Sequence, residues 1–213
     1  MTFFTRTLAI VLLVGTALLG AGAFVHPVLA GDAAAQLRTI AETEHWRQIH
    51  LVMLAGTGLI VAGIWVRLLL PRSGMVQPVL LGALAIIAIG IAIDGLNIAY
   101  MAGTGWRMGH RFPAGGPIVP VTFDLTHPIG LMAARFGNFL VALGALALGW
   151  AEWRDDTSPR VLAALAWIAG VGGMIGVLFF DEASRATLGA VALLSGWQVV
   201  TSILALGWLR GRT

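Results

Sequence analysis

The chain contains no cysteine and no lysine among its 213 residues. The first absence removes disulfides, iron–sulfur clusters, thiolate metal sites and covalently attached c-type haem together. The second removes Schiff-base chemistry, and with it a retinal-binding pump. Charge is scarce as well, at 11% of residues, and there is a single tyrosine, Tyr100. No nucleophile–base–orienter set for hydrolysis, no phosphate loop and no zinc-protease helix is present. The net charge is only +3 and the arginines are scattered over both ends of the apolar segments, which excludes a nucleic-acid partner.

What the chain does have is apolar length: 58% of its residues are hydrophobic. Six segments reach the roughly 20 apolar residues that a bilayer crossing needs. They are Leu8 to Val28, Leu51 to Leu70, Val79 to Met101, Pro128 to Trp150, Val161 to Phe180 and Leu188 to Leu209. Residues 1–30 have the outline of a signal peptide, with Arg6, an apolar stretch and Val28-Leu29-Ala30, but are read here as a retained helix. The expectation is an all-α, polytopic integral membrane protein in contact with the lipid bilayer. It forms one transmembrane domain over residues 1–213, a six-helix bundle with both termini on one side.

Arginine alone sets the orientation. Arg6, Arg67, Arg72, Arg154, Arg160, Arg210 and Arg212 fall on the side of the termini, and Arg38, Arg47, Arg107, Arg111 and Arg185 on the other. The first group is the larger and sits on shorter connections, so the termini are expected to be cytoplasmic, in an inner membrane. Trp46 and Trp106 then mark the outer interface, and Trp65, Trp150, Trp153 and Trp208 the inner one.

Two short links, Pro71-Arg72-Ser73-Gly74 and residues 154–159, make antiparallel hairpins of their neighbours. On the other side, Leu37, Ile40, Ala41 and Trp46 in residues 31–49 are spaced for a short amphipathic surface helix. Residues 103–127 are rich in Gly and Pro without a clear period, and are expected to form an ordered lid loop. Glycines at 15, 20, 22, 56, 63, 90, 95, 172 and 176 suit close helix packing.

Two charges interrupt the apolar runs: Asp94 in the third segment and Arg135 in the fourth. Counting 1.5 Å per residue from the outer ends puts both roughly 11 Å deep, where a facing partner relieves the cost of burial. Asn97 and Asn138 lie three residues beyond them, and Gln198 in the sixth segment is deeper. The expectation is an intramembrane polar site of Asp94, Asn97, Arg135, Asn138 and Gln198, serving either as a structural clasp or as a path for a proton or small solute.

All five histidines, His26, His45, His50, His110 and His127, belong to the outer half, on the face of Glu42, Glu44, Asp124, Asp181 and Glu182. His26, His50 and His127 stand at segment ends where they could converge as cofactor ligands, with Met53 one turn below His50. Imidazole with thioether suits copper, and two imidazoles from different helices suit b-type haem. Histidine with a carboxylate and Tyr100 would equally suit a quinone. The leading expectation is therefore a redox-associated membrane protein binding haem b, copper or quinone in its outer half. Its metal set would be His26, His50, Met53 and His127. The alternatives are a proton-coupled or small-solute transporter built on Asp94 and Arg135, and a non-catalytic subunit of a larger membrane complex.

Overall fold

In hydrocarbon the backbone must satisfy its own polar groups, so apolar runs of this length become helices. The computed structural model describes residues 2–70, 76–180 and 185–210, with side chains over 3–70, 76–180 and 191–207. Its helices are α1 (Thr2–Val25), α2 (Ala33–Glu42), α3 (Trp46–Gly63), α4 (Val66–Leu69), α5 (Gln77–Tyr100), α6 (Trp106–Arg111), α7 (Ile118–Arg154), α8 (Arg160–Phe179) and α9 (Arg185–Arg210). A π-helical turn, Met101–Gly105, joins α5 to α6. Five described helical stretches are long and apolar enough to cross a membrane: Phe3–Val25, Trp46–Leu69, Gln77–Arg111, Ile118–Arg154 and Arg160–Phe179. The sixth expected segment falls in α9, whose described apolar stretch is Val191–Gly207. The link at residues 71–74, and Asp181 and Glu182, lie outside the described residues.

Glycine sets the distance between helices. α1 and α3 run antiparallel with Gly15 against Gly56, and Gly63 against Leu12, so close that a Cβ on Gly63 would sit 2.5 Å from the Leu12 nitrogen. On α7 a seven-residue register, Gly130, Gly137 and Gly144, meets Asn97, Gly90 and Ala83 of α5. Seven residues are nearly two turns, so all three glycines share one face and the two backbones touch along it.

Two expectations are corrected here. Residues 103–127 are not an irregular lid. The π turn, α6 and the first turns of α7 occupy most of them, and only 112–117 remain as a connection. His127-Pro128 does not open a helix either, because α7 starts ten residues earlier and carries Pro128 inside it. At 37 residues, α7 is about 55 Å long by the helical rise, well beyond a hydrocarbon core of about 30 Å. Its first turns can therefore project past the apolar layer. There they pack with α2 and α6 into a cap of Leu37, Ile40, Trp46, Met101 and Phe123, flanked by Tyr100, Trp106 and Phe112.

α2 is the amphipathic element over residues 33–42. Asp32 caps its start, its carboxylate accepting the Ala35 N–H at 2.8 Å, and Leu37 and Ile40 are its buried face. The chain breaks again at residues 43–45, so His45 and His50 belong to different stretches and only His50 is buried.

Candidate functional site

Four contacts place the imidazoles of His26 and His50. The α1/α3 seam carries Gly22 against Met53, and one turn further along each helix His26 meets His50. Their Nε2 atoms are 3.0 Å apart, with the rings edge to face. His50 is 2% exposed, and its Nδ1–H donates to the Trp46 carbonyl at 2.8 Å. Trp46 lies against both rings and is itself fixed by its Nε1–H, which donates to the Met101 carbonyl at 3.0 Å.

The consequence is chemical. If both Nδ1 atoms carry the protons, both Nε2 atoms present lone pairs to each other at 3.0 Å, an arrangement that calls for a cation between them. Burial pushes the His26 imidazole below its usual pKa, which works against an extra proton filling that role. Anchoring the second ring nitrogen on a backbone carbonyl is also how metal-binding histidines are oriented. Met53 completes the neighbourhood: its side chain lies over Gly22, at the level of the Ile49 carbonyl. That agrees with the tilt of helical side chains toward the N-terminus, here toward His50.

His127 stands elsewhere. It is 8% exposed, stacked on Tyr100 at 6.2 Å between ring centres and tilted against Phe123 at 4.6 Å. Among the described residues no group of three His, Asp or Glu gathers as a metal site. The expected convergence of His26, His50 and His127 is thus corrected, because His127 faces the α5/α7 cap and the other two the α1/α3 seam. Tyr100 shares a hydrogen bond with Thr126 at 2.8 Å. His45 and His110 are exposed, the first 3.8 Å from Glu44 and the second against Trp106.

The five residues of the expected intramembrane site divide among three seams. Asp94 and Asn97 lie on the α5/α7 seam, opposite Gly137 and Gly130. Arg135 lies two residues from Gly137, about 200° round the helix at 3.6 residues per turn. It turns to α8 instead, where its Nε–H donates to the Val177 carbonyl at 2.9 Å. Pairing of Asp94 with Arg135 is therefore not present; equal depth brought them level but rotation about α7 took them apart. Asn138 follows Arg135 and lines a small gap with Ala142, Ala169, Gly173 and Val177. Gln198 is buried against α1, its Oε1 accepting the Thr16 hydroxyl at 2.8 Å.

A second charged cluster was not anticipated from the sequence. At the opposite end of the bundle, Arg67 is 2% exposed and makes a two-pronged bond to Glu152, with both N···O distances 2.7 Å. Its Nη2 also reaches Asp155 at 3.4 Å, and the Ser158 hydroxyl donates to Glu152. Asp155 in turn accepts the Thr157 N–H and hydroxyl, closing the turn between α7 and α8. The signal was available: Glu152 and Arg67 each sit within a turn or so of a segment's end, at matching depth. It was masked because arginines there were read only as orientation markers.

Helices of this length and composition, with buried charge met by charge, define a multi-pass helical membrane protein. Comparison with protein-family models, with curated proteins and with solved structures finds no match.

Proposed function

We propose that the protein is a redox-associated membrane protein that binds copper at the His26/His50 pair. The observation that carries this reading is the pair itself, two Nε2 atoms 3.0 Å apart with the Trp46 carbonyl behind the His50 ring. Two imidazoles and a nearby thioether are soft and borderline donors, the set copper prefers. His26 and His50 would hold the ion and Met53 would be its third donor; when bound, it supplies one-electron chemistry. Copper is favoured over haem because α1 and α3 already close on Gly22 and Met53 one turn from the pair, a separation that suits an ion rather than a macrocycle. The arginine bias supports the orientation proposed with it, this end outside an inner membrane and the Arg67 end cytoplasmic, in a bundle of six crossings.

The test is metal content and visible spectrum of protein purified in mild detergent, oxidised and reduced. Stoichiometric copper, lost in His50→Ala and weakened in Met53→Leu, is the expected result. A reducible Soret band lost in His50→Ala would move the reading to haem. Colourless protein that takes up no copper would overturn it and leave transport or a subunit role.

A further inference from the structure

Asp94 stands in the apolar run of α5. No hydrogen bond or ion pair reaches it among the described residues, in contrast to Glu152 and Asp155. One turn further along α5, Asn97 presents a second unsatisfied group: its Oδ1 is buried without a partner. Room for that oxygen exists only because residue 130 is glycine, since a Cβ there would sit 2.6 Å from it. Residues three apart on a helix have Cβ atoms about 5–6 Å from each other, so the two side chains share one face of α5, close enough for one water to join them. Buried polar groups are otherwise almost always paired, and an orphan acceptor beside an orphan carboxyl calls for a donor between them.

We infer that Asp94 and Asn97 form an intramembrane proton-binding site, with the acid proton of Asp94 held toward the Asn97 oxygen. The inference is independent of the metal reading. An unpaired carboxylate in hydrocarbon is so costly that the group takes a proton instead. Among the described residues no charged side chain is placed to substitute for it. From α7 the facing groups are the Gly130 and Gly137 backbone, with Arg135 turned to α8 and His127 further out on Tyr100. From α3 they are Thr57 and Leu54, near Gly95, while His50 is paired with His26 at that helix's end. Arg67, on α4, is bound to Glu152 at the far end. Tyr100 and Thr126, joined at 2.8 Å one turn above Asn97, extend the polar column toward the cap.

The experiment is infrared spectroscopy of the whole protein in lipid nanodiscs, with carboxyl-labelled aspartate, titrated with pH in H₂O and D₂O. A protonated-carboxyl band at neutral pH, shifted by deuterium, lost on alkalinisation and absent in Asp94→Asn, is expected. Asn97→Leu should move that band to higher wavenumber, because the acid O–H loses its acceptor; this variant carries the test if Asp94→Asn fails to fold. An ionised Asp94 at every pH would overturn the proposal, as would a protonated band that neither exchanges nor titrates.

Discussion

The two ends of the bundle handle buried polarity in opposite ways. At the Arg67 end, each prong of the guanidinium that faces Glu152 has a carboxylate oxygen at 2.7 Å, and serine, threonine and backbone groups take up further oxygens. At the histidine end, two imidazole nitrogens face each other and, one helix pair away, the Asn97 Oδ1 and the Asp94 carboxyl have no partner among the described residues. A cluster that is complete in itself holds helices together. A cluster that lacks a cation or a proton has room to receive one, and the proposed function rests on that difference between the two ends.

That contrast can be broken most forcefully at Arg67. Arg67→Leu leaves Glu152 buried without its cation, and breaking such a pair costs about 3–5 kcal/mol. Thermal unfolding in detergent should show a large fall, whereas His50→Ala should change stability far less and, on the proposed reading, abolish copper uptake. Equal destabilisation by both would erase the distinction between the ends.

Glycine packing gives the next effect. Gly63→Ala forces a Cβ to within 2.5 Å of the α1 backbone, while Gly20 has nothing within 4 Å. Overpacking of this kind costs about 1–3 kcal/mol, so Gly63→Ala should lower the unfolding temperature and Gly20→Ala leave it unchanged. Because Gly63 shares the α1/α3 seam with His26 and His50, the proposed copper uptake should weaken with it.

The smallest effect is on pH. Burial lowers the His26 pKa, so between that value and the ordinary one of about 6.5 the unfolded chain binds more protons than the native one. Stability is therefore full above about 6.5 and declines as pH falls through that window. His26→Gln should flatten the acid side of a plot of unfolding temperature against pH, and an unchanged slope would show that His26 is not the group responsible.

Much of this was legible in the residues. The apolar runs mark the helices, the spacing of Leu37 and Ile40 marks α2, and His26 and His50 at segment ends with Met53 a turn away mark the candidate site. Residues 103–127 were misjudged because Gly and Pro suggest loops, yet Pro128 lies within α7, where membrane helices tolerate it when neighbouring groups satisfy the backbone. Asp94 and Arg135 were matched by depth, a quantity read along one axis, while contact also depends on rotation. The glycines at 130, 137 and 144 held that missing information, since a register of small residues marks the face that a neighbour approaches.

The sequence alone determined that the chain fills a bilayer, because transfer of its apolar runs from water is favourable whatever they pack against. It likewise determined which chemistries are impossible, since absent side chains cannot act. Only the tertiary structure decided the partners. Arg67 finds Glu152 across 85 residues of sequence, His26 finds His50 rather than His127, and Asp94 is left facing glycine. Those outcomes rest on which face each helix turns to its neighbour, and glycine contacts of backbone on backbone fix that angle.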